Sequence, residues 1–253
     1  YEGEFVGLIG PTGSGKSTLV QLLNGLLQPT EGIVLYRNRP IGREISGVEL
    51  RREVGVVFQF PETQLFEPTV FDDVAFGPKN LGLSRREIER RVFKALEAVG
   101  LGFEEFAHRS PFSLSGGEMR RAAIAGVLAM EPKMLVLDEP TCGLDARGRN
   151  ELLEMLATLN SAGLTVILVT HNMDEVARLA MRLVVLDDGR IVLDGPPATV
   201  FSQADRITEM GLDLPATSVL LRRLRERGIE VPTELFEISS TCEAIVDALR
   251  RRA

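Results

Sequence analysis

The feature that most constrains the fold of this chain is a glycine-rich run at residues 10–17, with the sequence GPTGSGKS. It follows a short apolar segment, residues 4–9, and precedes an amphipathic segment, residues 17–27, which predicts a strand, a tight loop and a helix. Glycines allow backbone N–H groups to converge, and a helix start adds partial positive charge. The run is therefore predicted to bind a polyphosphate, with Lys16 reaching the β- and γ-phosphates and the Ser17 hydroxyl placed to ligate Mg²⁺.

Short apolar runs rich in β-branched residues alternate with longer amphipathic stretches along the chain. This rhythm predicts an α/β fold with a mostly parallel sheet. Together with the glycine-rich run at residues 10–17, it predicts the P-loop NTPase type of fold. The predicted strands are residues 4–9, 54–58, 134–137, 165–169 and 183–186. Between the second and third strands, about residues 70–130 have helical patterning only, which predicts an inserted helical subdomain.

The pattern changes after Gly195 and two prolines, where short helical segments are interrupted by Pro215, Gly228 and Pro232. This change predicts two parts of the chain: a main domain over residues 1–200 and a small C-terminal helical appendage over residues 201–253.

Two carboxylates follow the apolar run at residues 134–137. A buried strand that ends in an acid brings that acid to the carboxyl edge of a parallel sheet, where a metal–phosphate site is formed. Asp138 is the predicted Mg²⁺ ligand, and Glu139 is the candidate to orient the attacking water or to accept its proton.

Two more polar side chains follow predicted strands: Gln59 after residues 54–58, and His171 after residues 165–169. If the strands are parallel, both groups emerge at the edge that carries the glycine-rich loop and Glu139. His171 is predicted to sense the γ-phosphate, and Gln59 to contact the metal ion or the water. The only other histidine, His108, is expected at the surface.

A third element, Ser115-Gly116-Gly117, opens a predicted helix. Helix capping explains Ser115 by itself, but two successive glycines cost helix stability unless something approaches the backbone closely. The helix start is thus predicted to be a second anion site.

The bulk properties exclude some classes of protein. A net charge of −7 disfavours binding to a nucleic-acid backbone. No apolar run reaches the roughly 18 residues of a membrane-spanning helix, and the two cysteines are too far apart for a pair motif. We expect a soluble, intracellular protein.

In their order along the chain, these motifs resemble the ABC ATPase family over about residues 1–200, and the Leu-Ser-Gly-Gly-Glu segment at 114–118 is nearly diagnostic. The resemblance implies that ATP is hydrolysed to ADP and phosphate with Mg²⁺. It implies a head-to-tail dimer, with ATP between the phosphate loop of one chain and residues 115–117 of the other, and Asp145 across the interface. The residues expected to bind nucleotide are Gly10, Pro11, Thr12, Gly13, Ser14, Gly15, Lys16, Ser17, Thr18, Ser115, Gly116, Gly117 and Asp145.

Within that family, residues 23–30, 58–66, 73–82 and 211–215 resemble the ATPases of energy-coupling factor importers, which take up vitamins and transition-metal ions. The resemblance implies three partners: a second ATPase chain, a transmembrane coupling subunit and a substrate-binding membrane subunit. It implies a peripheral position at the cytoplasmic face of the cell membrane, no nucleic-acid partner, and a dimerisation role for the appendage. The loop at residues 59–66 would receive a helix of the transmembrane subunit. Leu65 and Phe66 either form that docking patch or fold back into the core.

One departure concerns the N-terminus. ABC cassettes normally begin with an additional stretch of strand, well upstream of the glycine-rich loop, and an aromatic residue in it stacks on adenine. In this chain Tyr1 stands only nine residues before Gly10, which is too close for that role. The N-terminal strands are therefore expected to be missing, and the adenine contact is undefined.

Three other readings compete. ABC ATPases of DNA repair carry a long coiled coil between Gln59 and Leu114, and translation-associated ABC proteins contain two cassettes, so neither agrees well with this chain. A regulatory module that binds nucleotide without turnover is disfavoured by Glu139. The main alternative that remains is a non-transport ABC ATPase acting on nucleic acid or the ribosome.

Overall fold

The computed structural model describes residues 1–251 of the chain. The last two residues of the predicted appendage, 252 and 253, lie outside the described residues. In the described part, no helix combines the length and the apolar character needed to cross a lipid bilayer.

Strands and helices alternate through most of the chain. The strands are β1 (Phe5–Ile9), β2 (Leu35–Tyr36), β3 (Arg39–Pro40), β4 (Val54–Val57), β5 (Met134–Asp138), β6 (Thr165–Val169), β7 (Arg182–Asp187) and β8 (Arg190–Gly195). The helices are α1 (Lys16–Leu23), α2 (Gly47–Glu53), α3 (Val70–Asn80), α4 (Arg85–Ala98), α5 (Phe103–Phe106), α6 (Gly116–Leu128), α7 (Ala146–Ser161), α8 (Met173–Leu179), α9 (Pro197–Ser202), α10 (Ala204–Glu209), α11 (Ala216–Glu226) and α12 (Ile238–Arg250). Short 3₁₀ turns cover Pro61–Gln64 and Pro111–Ser113.

The predicted α/β fold with a mostly parallel sheet is confirmed. Among the described residues, six strands form one sheet in the order β4-β5-β6-β1-β7-β8, and β2 pairs with β3 separately. The chain divides into two compact units: residues 1–4 with 17–167, and residues 5–16 with 168 onwards. The predicted boundary at residue 200 falls inside the second unit.

In the first unit, β4 and β5 are parallel, with Val54 opposite Met134 and Val57 opposite Leu137. The chain between these strands is helical, as predicted, and contains α3 to α6. These helices pack on one another around side chains that are fully shielded from solvent: Val74, Val92, Leu96 and Ile124. The inserted helical subdomain is therefore confirmed.

The first helix is shorter than predicted, because α1 ends at Leu23 rather than at residue 27. Gly25 adopts a left-handed φ of 71°, and the N–H groups of Leu26 and Leu27 both reach back to the carbonyl of Gln21. A left-handed glycine after a helix satisfies its last carbonyls and ends it. The Asn24-Gly25 pair was the signal for this stop.

In the second unit, β1 pairs with β7 in parallel, and β7 pairs with β8 in antiparallel. The tight turn between β7 and β8 contains Asp188 and Gly189, both with left-handed φ. Strand β8 was not predicted. It is an edge strand in which only Leu193 is buried, so it lacks the continuous apolar run of a central strand.

The C-terminal segment has a small apolar cluster of its own. Its buried members are Leu221, Val231 and Ala248, and partly buried side chains around them are Leu224, Ile229, Leu235 and Ile245. The cluster joins α11, α12 and the chain between them, which gives the predicted appendage a packed interior.

Candidate functional site

The glycine-rich loop follows β1 and is bent tightly against the end of β7. A Cβ atom on Gly10 would lie 2.1 Å from the backbone oxygen of Leu186, so a side chain at this position would collide with backbone. Gly13 and Gly15 have left-handed φ values of 84° and 100°. The N–H of Gly189 donates to the carbonyl of Ser14 at 3.1 Å, which secures the loop to the turn after β7.

Lys16 begins α1 and is buried, although lysine is rarely shielded from solvent unless it is paired. Its Nζ donates to the carbonyls of Gly10 at 2.7 Å and Pro11 at 2.9 Å. The ammonium group therefore lies inside the loop, while Thr12 and Gly13 at the tip are exposed. A fixed positive charge surrounded by backbone N–H groups is the arrangement that binds phosphate.

Ser17 follows Lys16 directly and contacts the end of β5. The Ser17 hydroxyl donates to Asp138 Oδ2 at 3.0 Å. Both residues belong to the first unit, where β5 delivers Asp138 at its last position. A hydroxyl beside a carboxylate is an all-oxygen donor set, which is the type that Mg²⁺ prefers, so the residues present fit this ion.

Glu139 comes directly after β5 and is half-buried, with a left-handed φ of 51°. The N–H of Cys142 donates to the carbonyl of Glu139 at 3.2 Å and closes a turn. A left-handed conformation costs a residue other than glycine about 1–3 kcal/mol, and such strain clusters at active sites. The backbone thus forms a sharp corner at Glu139, directly after the end of β5.

Gln59 lies just beyond the end of the neighbouring strand β4. Val57 is the register partner of Leu137, and Gln59 and Glu139 are each two residues further along the chain from these partners. Gln59 is exposed, and the next residue, Phe60, has a left-handed φ of 54°. In the first unit, the structure therefore brings Gln59, Asp138 and Glu139 to one edge, as predicted.

His171 belongs to the second unit and is exposed two residues after β6 ends. The segment that carries it is well fixed. The Asn172 side chain caps α8 by accepting from the N–H of Asp174 at 3.0 Å, and the buried Thr170 hydroxyl donates to Glu175 Oε2 at 3.0 Å. His108 is exposed in the helical subdomain, as expected.

The start of α6 is the place predicted for the second anion site. Ser115 is the N-cap: its hydroxyl accepts from the N–H of Glu118, and its own N–H donates back to the Glu118 carboxylate at 2.7 Å. The donors on Ser115 lower the pKa of Glu118 below its ordinary value. A Cβ atom on Gly116 or Gly117 would meet nothing within 4 Å, so an approaching ligand can reach the backbone of this helix start.

A cavity of about 360 Å³ opens beside this helix start. Its wall includes Ser115, Gly116 and Gly117 on one side and Asp145 and Gly148 on the other. Asp145 is the N-cap of α7, and its Oδ1 accepts from the N–H of Gly148 at 2.7 Å. The structure therefore brings Asp145 together with residues 115–117.

In the loop after Gln59, the two residues predicted to form a docking patch differ in exposure. Leu65 is buried, whereas Phe66 is 59% exposed and packs edge-on against Phe76, with the ring centroids 5.1 Å apart. Phe60 and Phe76 are exposed as well. Phe66 is thus exposed, as a docking patch requires, whereas Leu65 folds back into the core.

Sequence reasoning overlooked an ion pair between Arg120 of α6 and Glu62 of the first 3₁₀ turn. A signal was available, because Arg120 stands four residues before Ile124, on the same face of the helix as this buried side chain. A charged residue on the apolar face of a helix is rare unless it has a fixed partner.

Comparison with known sequences identifies close relatives. A family model described as ABC transporter matches residues 1–142. The energy-coupling factor transporter ATP-binding protein EcfA2 of Clostridium perfringens is 48% identical over 251 residues, covering 98% of this chain and 88% of the relative. The protein of the same name from Bacillus cereus is 50% identical over 254 residues, covering 98% of this chain and 86% of the relative.

Solved structures are similar over most of the chain. The structure of cbiO1 from Clostridium perfringens, part of the ABC transporter complex cbiONQ, has a TM-score of 0.74 and 40% identity, covering 87% of this chain and 88% of that one. The dimeric ATP-binding cassette MJ0796, bound to ADP and Pi, has a TM-score of 0.66 and 34% identity, covering 78% of this chain and 87% of that one.

Proposed function

This chain belongs to the ABC transporter family, as an ATP-binding protein of the EcfA2 group of energy-coupling factor transporters, and on that premise we propose how its residues bind and hydrolyse ATP. ATP hydrolysis by this protein is coupled to transport. The observation that carries the residue assignment is the 3.0 Å contact between Ser17 and Asp138. Ser17 follows Lys16 in the chain, and this contact joins it to Asp138, the last residue of β5, which Glu139 follows directly.

We assign residues 10–18 to the phosphates of ATP. Lys16 supplies the positive charge for the β- and γ-phosphates, and the loop N–H groups and the start of α1 provide further donors. Ser17 and Asp138, with Gln59, would hold Mg²⁺, which when bound neutralises charge on the phosphate oxygens. The support for this set is the all-oxygen chemistry of Ser17 and Asp138 and the common edge of Asp138 and Gln59.

Glu139 is the proposed catalytic carboxylate. A water oxygen attacks the γ-phosphorus, the bond to the bridging oxygen of ADP breaks, and Glu139 orients the water and accepts its proton. Gln59 contacts the same water, and His171 contacts the γ-phosphate as a sensor of its presence. The strained corner at Glu139 supports this assignment, because backbone strain is typical of residues held in a reactive position.

The second anion site acts across a dimer in this proposal. Residues 115–117 of one chain bind the γ-phosphate of ATP that is held by the phosphate loop of the other, and Asp145 couples the two sites across the interface. The open backbone at Gly116 and Gly117 and the dimeric cassette of a relative support this arrangement. ATP then contributes contacts to both chains, so binding closes the dimer, and hydrolysis with phosphate release reopens it.

The other proposed partners are membrane proteins: a transmembrane coupling subunit and a substrate-binding subunit, with a vitamin or a transition-metal ion as the cargo. The exposed aromatic patch of Phe60, Phe66 and Phe76 is the proposed docking surface for the transmembrane subunit. The second ATPase chain is either identical or homologous. We infer a peripheral position at the cytoplasmic face of the cell membrane from the assignment to a membrane transporter. A nucleic-acid partner is not proposed, given the net charge of −7.

In this proposal, residues 1–200 form the ATPase domain and residues 201–253 a dimerisation appendage. The apolar cluster around Leu221 supports an appendage with its own packing.

The experiment that tests this function is the Glu139→Gln variant. Glutamine keeps the shape of the side chain but cannot accept the proton, so we expect an ATP-dependent dimer whose kcat is at least about a hundredfold lower. Sedimentation velocity with and without ATP measures the dimer, and phosphate release measures turnover. Lys16→Ala is expected to lose both. Steady turnover by Glu139→Gln would remove Glu139 from its role, and full-speed hydrolysis by Lys16→Ala would end the assignment of the phosphate loop.

A further inference from the structure

Arg120 is 3% exposed, and among the described residues its side-chain hydrogen bonds go to segments outside its own helix. Its Nε and Nη2 donate to the two carboxylate oxygens of Glu62, at 3.0 and 2.7 Å. Its Nη1 donates to the carbonyls of Pro140 and Cys142, at 2.8 and 2.6 Å. One buried guanidinium therefore joins α6, the 3₁₀ turn Pro61–Gln64 and the chain just after β5.

The two carbonyls held by Arg120 belong to the turn that begins at Glu139. Pro140 is the next residue, and the N–H of Cys142 closes the turn on the carbonyl of Glu139. Glu139 has an unfavourable φ of 51°, so its corner persists only if neighbouring groups hold the turn. Arg120 is the side chain that fixes two of the three residues following Glu139.

The two hydrogen bonds from Arg120 to the Glu62 carboxylate orient the guanidinium, because a bidentate pair fixes the plane of the guanidinium as well as its distance from the carboxylate. Burial raises the pKa of the Glu62 carboxyl, but the hydrogen bonds and charge of Arg120 outweigh this effect and leave the pKa below its ordinary value. Glu62 thus remains ionised at neutral pH. A lysine at position 120 would keep the positive charge but not the fork that reaches three segments at once.

We propose that Arg120 is a positioning residue for ATP hydrolysis, which holds Glu139 in its reactive orientation through the carbonyls of Pro140 and Cys142, with Glu62 as its anchor. The inference rests on the catalytic role proposed for Glu139. Arg120 acts through that turn and has no contact of its own with the reacting atoms. The effect of losing it should therefore appear in the rate of hydrolysis and not in the affinity for ATP.

The test is the Arg120→Lys variant, with Arg91→Lys as the matched control. Arg91 is a half-buried arginine that, like Arg120, pairs with a carboxylate and donates to a backbone carbonyl. Its partners are Glu87, Glu131 and the carbonyl of Met130, within the helical subdomain. We expect kcat of Arg120→Lys to fall at least about tenfold while KM for ATP stays within about twofold. Arg91→Lys should keep kcat within about twofold, although both variants lower the melting temperature.

Two further variants separate positioning from general stability. Glu62→Gln keeps the shape of the anchor but removes its charge, and it should lower kcat by a few fold with KM unchanged. In single-turnover assays with Glu139→Gln as the background, adding Arg120→Lys should produce no further loss, because both changes act on the same step.

The inference is overturned if Arg120→Lys and Glu62→Gln both hydrolyse ATP at the wild-type kcat, if KM rises in step with the loss of kcat, or if Arg120→Lys slows the Glu139→Gln background by the factor seen in wild type. Failure of the proposed function looks different. In that case wild-type protein does not hydrolyse ATP, or Glu139→Gln turns over normally, whatever Arg120→Lys does.

Discussion

At the scale of single residues, the two corners of the site in the first unit carry unfavourable backbone angles. Glu139 and Phe60 follow the parallel strands β5 and β4, and both have φ values above 50°. A left-handed conformation costs a residue other than glycine about 1–3 kcal/mol, so the surrounding structure must hold the backbone at each of these two residues. At Glu139 the hydrogen bonds from Arg120 to Pro140 and Cys142 do so. The site therefore depends on tertiary contacts that do not themselves touch ATP.

Gly10→Ala is expected to lower the free energy of unfolding by about 1–3 kcal/mol, as overpacking does elsewhere. The added Cβ would lie 2.1 Å from the backbone oxygen of Leu186, and backbone in a central strand cannot move aside easily. Urea unfolding measures the change. Gly102→Ala is the control, because a Cβ on Gly102 meets nothing within 4 Å. Equal stability of the two variants would contradict the argument.

At the scale of elements, several of the helices begin with a side chain that satisfies one of their first N–H groups. Ser84 caps α4, Ser115 caps α6 and Asp145 caps α7. In α6 the cap and Glu118 satisfy each other, which leaves the backbone at Gly116 and Gly117 accessible for a ligand. In α4 the Ser84 side chain accepts from the N–H of Glu87. The Glu87 carboxylate, in the first turn of the helix, accepts from Arg90 and Arg91 instead.

Glu87 predicts a pH dependence of stability. Hydrogen bonds from Arg90 and Arg91 lower its pKa from 4.5 to about 2 in the folded protein. The stabilisation of the folded state by the Glu87 carboxylate is therefore fully present above about pH 4.5, which is the pKa of this group in the unfolded chain. It is lost as the pH falls towards about 2, the pKa in the folded protein. We expect Glu87→Gln to be less stable than wild type at pH 7, and the difference to shrink between pH 4.5 and 3. Urea unfolding at several pH values measures it.

Glu104→Gln, on the neighbouring helix α5, controls for the general change in net charge. A gap between wild type and Glu87→Gln that stayed constant from pH 7 to pH 3 would show that the carboxylate of Glu87 is not the cause.

At the scale of the whole molecule, the last helix has an apolar stripe on its outer side. Ile238 is 74% exposed, and Cys242, Val246 and Leu249 continue the same face one helical turn at a time. The adjoining face, with Ile245 and Ala248, packs on the cluster around Leu221. Part of the apolar surface of α12 is thus left exposed within the described chain, which agrees with the dimerisation role proposed for the appendage.

The double variant Ile238→Ser, Val246→Ser is expected to weaken the dimer about tenfold or more without lowering the stability of the monomer, because it removes exposed apolar area only. Sedimentation equilibrium with ATP, in the Glu139→Gln background, measures the dissociation constant. Ile191→Ser on β8 is the control, since Ile191 is equally apolar and exposed but lies outside the appendage. Unchanged dimerisation of the double variant would exclude this stripe from the interface.

The sequence by itself determined the fold class, the glycine-rich loop, and the two carboxylates at the end of β5, because each depends on residues that are adjacent in the chain. Phosphate binding by backbone N–H groups needs a contiguous run such as residues 10–17, and a buried strand needs a contiguous apolar run such as residues 134–137. Even so, the sequence-based prediction missed the end of α1 at Leu23, which the local pair Asn24-Gly25 signals, and local patterns did not decide that β8 forms an edge strand.

Only the tertiary structure decided which distant groups meet. Arg120 and Glu62 are 58 residues apart, and nothing in the spacing between them predicts a buried ion pair. Leu65 and Phe66 are adjacent and similar in polarity, yet one is buried and the other exposed, because the direction of each side chain depends on how the turn packs. The physical reason is that helix, strand and loop preferences depend on residues that are adjacent in the chain, whereas burial and long-range pairing follow from the topology of the sheet and the helices around it.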